Sequence, residues 1–196
     1  HLQNILNQFD ATATEKEEIT AYFDKRTVSH SAVVEKLKGL RKPNVKWVDF
    51  LDFDTINNKL SSLNEDSKPV FGQMNAQQMI EHLSAVTQIA NGNWNVNVFV
   101  SDEKTARRKP FLQTENELQT GFKASFLADE PIKLKFSSID IAIDDLLYQL
   151  QSFLLIFKQN KNRTVVHPFF GELNFEEWKR FQIKHFTHHF KQFDLL

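Results

Sequence analysis

The sequence predicts an all-α protein, a four-helix bundle with a long middle connection and an N-terminal extension. Four segments place apolar residues three and four positions apart, which is the spacing of one buried helix face. Each segment also begins at an Asp, Asn or Ser residue, the types preferred as helix N-caps. Four capped amphipathic helices favour a bundle. We expect the bundle to span residues 52–196, with residues 1–51 as an extension of unknown role.

The extension combines short helical patterns with an apolar segment. One helix is expected over Thr14–Lys25 and a second over Ser31–Leu40. Residues 44–53 carry valine, tryptophan and phenylalanine without a clear helical period and are expected to be extended. None of these patterns predicts a function for the extension.

The bundle helices follow from their caps and their apolar stripes. Each is expected to run from a capping residue to the end of its stripe, and the four are Asp54–Leu63, Asn75–Ala90, Ser138–Gln159 and Asn174–Leu196. Residues 92–137 contain the breakers Pro110, Gly121 and Pro131, and we expect them to be irregular apart from a strand over Ile132–Phe136. Connections of this length inside a compact domain more often have a function than none.

The composition narrows the possible functions. The 24 Lys and Arg residues nearly balance the 25 Asp and Glu residues, and the formal net charge of -1 predicts no nucleic-acid partner. The absence of cysteine excludes disulfides, cysteine nucleophiles and cysteine-ligated metal centres. It is compatible with a reducing compartment, and we expect a cytoplasmic protein. The longest apolar run, Phe153–Phe157, is far shorter than the ~20 residues of a membrane span. The chain begins without a signal pattern, so no membrane partner is expected.

Histidines near the C-terminus carry the strongest chemical signal. His185 and His189 are four residues apart on a predicted helix, so they share a face about 6 Å apart along the axis. Two imidazoles at this spacing can converge on one metal ion at ~2.0–2.1 Å each. Both also lie on the apolar stripe, where a buried imidazole needs a partner for each ring nitrogen. A shared metal ion meets that need.

His82 lies on the apolar stripe of its own helix, between Met79 and Val86. If this helix packs against the last one, His82 supplies a third ring nitrogen. Three neutral imidazoles leave a fourth position for water or substrate, which is the geometry of a catalytic metal site. Gln78, one turn before His82, is a candidate acceptor for the outer nitrogen of a ligand.

Alternatives remain open from the residues alone. Histidine pairs on a helix surface are common, so a boundary pair that binds nothing is the alternative to a metal site. His188 is rotated by about 100° from His189 and is expected at the rim of the site or behind the ligands. His167, before a proline, is expected to be a turn histidine, and His30 a surface residue. The glutamates expected to be solvated on helix faces are Glu81, Glu176 and Glu177.

Other catalytic devices are absent from the sequence. It contains no G-x-S-x-G, no phosphate-binding glycine loop, no G-x-G-x-x-G and no H-E-x-x-H. A basic cluster can bind an anion, but it more often forms a solvated loop; its residues are Lys104, Arg107, Arg108 and Lys109.

Two sequence blocks resemble the DinB-like (YfiT-like) superfamily of four-helix bundles and, more narrowly, a bacterial branch of it. The first block is KPVFGQMNAQQMIEHL at residues 68–83. The second is HPFFGELN at residues 167–174, followed by Glu177-Trp178 and by HFTHHFKQF at residues 185–193. The resemblance covers residues 52–196.

The resemblance implies a divalent metal, zinc or nickel, bound by His82, His185 and His189. It also implies a thiol-dependent transferase or isomerase that uses a low-molecular-weight thiol such as mycothiol or bacillithiol as co-substrate. A His-His pair is usual in the corresponding helix, so His188 needs no separate role. Because members often pair through bundle helices, and the chain carries 19 phenylalanines, a homodimer is expected.

Two functions follow as hypotheses. The first is a mononuclear metalloenzyme in which a thiol occupies the open position and a small-molecule substrate lies against an apolar wall of Trp94, Phe99 and Phe111. The alternative is a non-catalytic bundle, stabilised by the metal or by the paired histidines, that acts in protein association. An open fourth position with a cleft favours the enzyme, and a sealed site favours the alternative.

Overall fold

The structure, a computed structural model, describes residues 6, 12–22, 32–34, 36–37, 45–94, 96–98, 100–120 and 133–196. The chain divides into two compact units, His1–Val45 and Lys46–Leu196, and each is described by itself. The described residues are mostly helical and include one two-stranded sheet. The predicted all-α class is therefore confirmed.

The first unit is helical over most of its described residues. Helix α1 spans Ala13–Tyr22, and residues 32–34 and 36–37 are also helical. The backbone N–H groups of Thr12 and Glu15 each donate to the other's side chain, at 2.8 and 3.3 Å, which caps the start of α1. The ends predicted at Lys25, Ser31 and Leu40 lie outside the described residues.

The second unit contains all four helices predicted for the bundle. Its described elements are the helices α2 (Phe53–Leu60), α3 (Ala76–Ala90), α4 (Asp102–Arg108), α5 (Ile139–Gln159) and α6 (Phe175–Gln192), a 3-10 helix over Lys109–Gln113, and the strands β1 (Val165–His167) and β2 (Gly171–Leu173). Helix α3 packs extensively along α5 and also against α6, while α2 packs on α5. The start of α6 also contacts α5 directly, because the Phe175 ring lies 5.5 Å from Phe153 and 5.6 Å from Phe157.

The helix caps explain where these helices begin. Asn75, Ser138 and Asn174 cap α3, α5 and α6 as predicted, each accepting a hydrogen bond from a backbone N–H of the first turn. The predicted cap at Asp54 is wrong. The Asp52 carboxylate caps α2 by accepting from Thr55 N at 3.1 Å, so Asp54 lies in the first turn, where the helix dipole favours a negative charge.

The beginning of the second unit packs into its core. Val48 N donates to Thr187 Oγ1 on α6 at 2.9 Å. The Phe50 ring lies 5.9 Å from Phe153 and 5.6 Å from Phe186, measured between ring centroids. The predicted domain boundary after residue 51 stays a prediction, whereas the compact unit itself begins at Lys46.

The middle connection contains regular structure that was not predicted, namely α4 and the 3-10 helix. Lys184 of α6 binds the segment that follows the 3-10 helix. The lysine ammonium group donates to the Thr114 and Asn116 carbonyls at 2.6 and 2.5 Å. The same ammonium lies over the rings of Trp47 and Phe111, at 4.9 and 4.7 Å. A buried lysine thus ties the connection to α6.

The strand predicted over Ile132–Phe136 is absent from its described part, residues 133–136. The Lys135 and Phe136 N–H groups instead donate to the Glu81 carboxylate at 2.7 and 3.1 Å, so a side chain takes the place of a partner strand. Glu81 also accepts from Gln77 Nε2 at 3.0 Å and is buried. The expectation of a solvated Glu81 is therefore wrong.

A hairpin replaces the loop predicted before the last helix. Strands β1 and β2 pair antiparallel, with Val165 opposite Leu173 and His167 opposite Gly171. Trp178 Nε1 of α6 donates to Val165 O at 3.0 Å, which fixes the hairpin against the start of α6. None of the described helices is both long and apolar enough to cross a membrane.

Candidate metal centre

The three predicted ligands come from two packed helices. His82 lies in the middle of α3, and His185 and His189 lie on successive turns of α6. Both helices begin with a complete capping box, at Asn75 and Asn174, so the register of each helix is set locally. The contact between α3 and α6 then places His82 opposite the other two histidines.

The inner nitrogens of the three rings converge. His185 Nε2 lies 3.0 Å from His82 Nε2 and 3.1 Å from His189 Nε2. All three ligand atoms lie within 4.8 Å of one another. Nitrogens that share a Zn²⁺ at ~2.0–2.1 Å stand roughly 3–3.5 Å apart. The three-histidine group can therefore hold a metal ion.

Hydrogen bonds between the three rings cannot account fully for this arrangement. A pair of ring nitrogens at this distance forms a hydrogen bond only when one carries a proton and the other a lone pair. His185 Nε2 has a single in-plane site, yet it faces both His82 and His189. One of its two contacts thus lacks a good hydrogen bond in every protonation state. A cation bound to three lone pairs removes the conflict.

The electrostatics keep the three rings neutral. Burial, and next the neighbouring His188, lower the pKa of His82 to about 4. Burial, and next the other histidines of the cluster, lower the pKa values of His185 and His189 well below 6.5. Neutral imidazole is the form that binds metal, and a low pKa means that protons compete weakly with the ion.

Exposure differs among the three ligands. His185 and His189 are only 6% and 5% exposed, whereas His82 is half-buried. His82 is therefore the most exposed of the three ligands. The Phe181 ring stacks on His185 at 5.2 Å with an interplanar angle of 22°, which restricts rotation of that imidazole.

Gln192 is a contact of the cluster that the sequence analysis missed. Its Oε1 lies 2.8 Å from His189 Nδ1, and its Nε2 donates to Phe71 O at 2.9 Å. An acceptor at Nδ1 places the proton there and leaves the Nε2 lone pair free toward the cluster. The signal was its position three residues after His189 on the same helix, where side chains meet.

The two predicted accessory residues have separate surroundings. His188 is half-buried, lies edge-on to Phe71 at 5.2 Å and to His189 at 5.0 Å, and hydrogen-bonds the backbone of Leu118. Burial lowers its pKa. Gln78 Oε1 accepts from Asn75 N at 2.9 Å in the capping box of α3. A role for Gln78 as an acceptor beside the ligands stays a prediction.

His167 is more than a turn residue. It ends β1, is buried, and packs against Phe170, Trp178 and Phe181 at 4.3–5.0 Å. Its Nδ1 accepts from Phe169 N at 3.1 Å, and burial lowers its pKa to about 3. His167 is therefore a neutral core histidine.

The other predicted residues that the structure describes make contacts outside the three-histidine group. In the basic cluster, Arg107 pairs with Glu103 at 2.7 Å and Lys109 with Glu177 at 2.9 Å. In the predicted apolar wall, Trp94 is exposed, and Phe111 stacks on Phe170 at 6.5 Å. His30 and Phe99 lie outside the described residues.

Comparison with known families gives one match. Residues 43–195 match a family described as a protein of unknown function, DUF1569, and this match spans most of the chain. The chain therefore belongs to the DUF1569 family. It matches none of the curated proteins and none of the solved structures with which it was compared. The resemblance to the DinB-like superfamily stays a prediction.

Proposed function

We propose that this DUF1569 member binds one divalent metal ion through His82, His185 and His189 and acts as a mononuclear enzyme of the thiol-dependent transferase or isomerase type. The observation that carries the proposal is the convergence of three neutral ring nitrogens at 3.0–3.1 Å from two helices. The two sequence blocks that resemble the DinB-like superfamily contain the same three histidines.

Zinc or nickel suits this donor set best. Imidazole nitrogen is a borderline ligand that binds zinc, copper, iron and nickel, whereas magnesium and calcium prefer oxygen. Zinc held by three protein ligands keeps a fourth position open in catalytic sites. We therefore propose one such ion per chain, with water or substrate in the open position.

The proposed chemistry concerns a thiol and a small-molecule electrophile. When bound, the ion supplies a positive charge that favours the thiolate form of a coordinated thiol at neutral pH. The chain contains no cysteine, so the nucleophile would be a separate low-molecular-weight thiol. His188, which lies beside His189, and Phe71, which packs on His188, would border the approach of substrates to the metal.

Metal analysis and a thiol assay test the proposal in two steps. Protein purified without an immobilised-nickel column should contain about one zinc or nickel ion per chain, and a His82→Ala/His189→Ala variant should contain almost none. The loaded protein should then consume thiol with a panel of electrophiles faster than this variant does. Wild-type protein that takes up no metal overturns the whole proposal. A full metal site without thiol turnover overturns the enzyme and favours the alternative, a non-catalytic metal-stabilised bundle acting in protein association.

We also propose a homodimer formed through α5. Ile141, Tyr148 and Leu155 are exposed at seven-residue intervals on this helix, the spacing at which two helices pair along a seam. A second copy would cover the stripe with the same stripe. Light scattering at micromolar concentration should give a dimer mass for wild type and a monomer mass for Tyr148→Glu. Leu134→Glu, at an exposed leucine outside α5, should leave the mass unchanged. A monomeric wild type overturns the dimer.

A further inference from the structure

Two buried glutamines flank the paired histidines of α6, each three residues away. Gln182 precedes His185 by three positions, and Gln192 follows His189 by three. We propose that Gln182 and Gln192 are a pair of positioning residues that hold His185 and His189 with the proton on Nδ1 and the lone pair on Nε2. The inference rests on the proposed metal site, and it assigns a role to two residues that bind no metal themselves.

The Gln192 contact is direct. Its Oε1 lies 2.8 Å from His189 Nδ1, and its amide group is held in turn by the Phe71 carbonyl at 2.9 Å. Because that carbonyl only accepts, the amide NH₂ must face Phe71 and the oxygen must face His189. His189 Nδ1 therefore carries the proton.

The orientation of Gln182 follows from a similar argument. Gln182 is fully buried, and its Nε2 lies 3.4 Å from Thr87 Oγ1. The Thr87 hydroxyl donates its only proton to Leu83 O at 2.8 Å, so it presents a lone pair to Gln182. The amide NH₂ must face Thr87, and Oε1 is left to accept from another donor.

That donor is His185. Among the described residues, Gln182 Oε1 and His185 Nδ1 are both buried without a hydrogen-bond partner. A free acceptor and a ring nitrogen that carries a proton in the metal-binding tautomer complement each other. Helical side chains lean toward the N-terminus, so His185 leans over the preceding turn, which contains Gln182 and the stacked Phe181. A direct bond after a small side-chain rotation, or one bridging water, joins the two groups.

The first test uses wild-type protein without metal, so it does not depend on a variant that folds. Long-range ¹H–¹⁵N NMR of the imidazole rings distinguishes the two neutral tautomers. We expect His185 and His189 to be Nδ1–H tautomers in the metal-free protein. An Nε2–H tautomer at either residue overturns the proposed pair.

The second test removes each acceptor while keeping side-chain volume. Gln182→Met should mix the tautomers of His185, and Gln192→Met those of His189. Each change should weaken zinc binding, measured by competition with a chromophoric chelator, by roughly 10–100-fold. Gln88→Met is the matched control, since buried Gln88 bonds Ser84 of its own helix and Asp145 of α5, and the hydrogen bonds of its side chain to described residues include no histidine. It should leave both the tautomers and the affinity unchanged.

The outcomes separate this inference from the proposed function. Folded Gln182→Met and Gln192→Met proteins with wild-type tautomers and wild-type zinc affinity overturn the pairing, even if the metal site exists. Wild-type protein that binds neither zinc nor nickel overturns the proposed function, while the NMR result still decides whether the glutamines set the tautomers.

Discussion

His82 Nε2 and His185 Nε2 lie 3.0 Å apart although 103 positions separate the two residues in the chain. One belongs to α3 and the other to α6, so the packing of these two helices creates the contact. Protonating both rings would place two like charges side by side, and burial already lowers the pKa of both. This close neutral pair is the basis of the predictions about metal.

The ligand set predicts a graded response to substitution. His185→Ala or His189→Ala should each lower the metal content sharply from one ion per chain, because two nitrogens remain where three are needed. His188→Ala should barely change it, since His188 contacts Phe71 and His189 rather than the convergent nitrogens. Elemental analysis of protein purified without added nickel checks this. Full occupancy in a His82→Ala/His189→Ala protein would falsify the site.

Metal removal should weaken the fold without destroying it. The second unit has a large apolar core formed by α2, α3, α5 and α6, with Phe50 and Trp178 fully buried. A ligand at 100 times its dissociation constant stabilises the folded state by about 2.7 kcal/mol. Chelation should therefore lower Tm by roughly 5–10 °C and leave the helical circular dichroism intact. Complete unfolding on chelation would instead support a structural metal.

The helices were predictable because their signals are local. Apolar spacing and capping residues lie within each helix, so α3, α5 and α6 begin where the sequence indicates. The hairpin was missed because each strand has only three residues, too few to show alternation. The buried state of Glu81 was missed because the N–H groups that bind it lie 54 and 55 positions away.

The residues of the site also fall into two groups, those with a local sequence signal and those whose role depends on tertiary packing. The pairing of His185 with His189 follows from a spacing of four, and His82 was found from its place on an apolar stripe. Gln192 satisfies the same kind of helical spacing, but its amide is oriented by Phe71 O, 121 positions away. Its importance therefore depends on tertiary packing, as does that of the buried Lys184.

The buried His167 predicts a pH dependence of stability. Its pKa is lowered to about 3 in the folded state, against 6.5 as the ordinary value. Between these values the unfolded chain binds the extra proton, so stability is full above pH 6.5 and is lost as the pH falls. In metal-free protein, the unfolding free energy from urea titrations should fall by about 2 kcal/mol more between pH 7.5 and pH 5 for wild type than for His167→Leu. Equal pH slopes would contradict this account.

Glu81 should matter for stability and little for metal binding. Its carboxylate accepts from Lys135 N, Phe136 N and Gln77 Nε2. Glu81→Ala removes the acceptor of the two backbone donors, while Gln77 Nε2 keeps its bond to Phe136 O. We expect a loss of about 1–3 kcal/mol in the free energy of unfolding, with unchanged zinc affinity. Glu65→Ala, at an exposed glutamate, should change stability by less than about 0.5 kcal/mol. A parallel loss of zinc affinity in Glu81→Ala would show that this carboxylate acts on the site.

Alanine substitutions at Gly72 and Gly171 form a matched pair that tests whether Gln192 fixes the orientation of the His189 ring. Both have positive φ, +81° and +68°, so alanine at either position costs about 1–2 kcal/mol in the left-handed region. A Cβ at Gly72 would lie 2.5 Å from Gln192 Nε2, whereas at Gly171 it would lie 2.8 Å from Thr105 Cγ2. Both variants should therefore lower Tm.

Only Gly72→Ala should also disturb the metal centre. The new methyl group must displace the Gln192 amide, which is bonded to Phe71 O on one side and His189 Nδ1 on the other. Loss of this acceptor frees the His189 ring to change tautomer, so zinc affinity should fall by roughly 10–100-fold, while Gly171→Ala keeps the wild-type affinity. Chelator competition with both proteins at a temperature well below their Tm separates the two effects. If the two alanine variants bind zinc equally well, the contact between Gly72 and Gln192 supports the fold alone and the orientation of His189 does not depend on it.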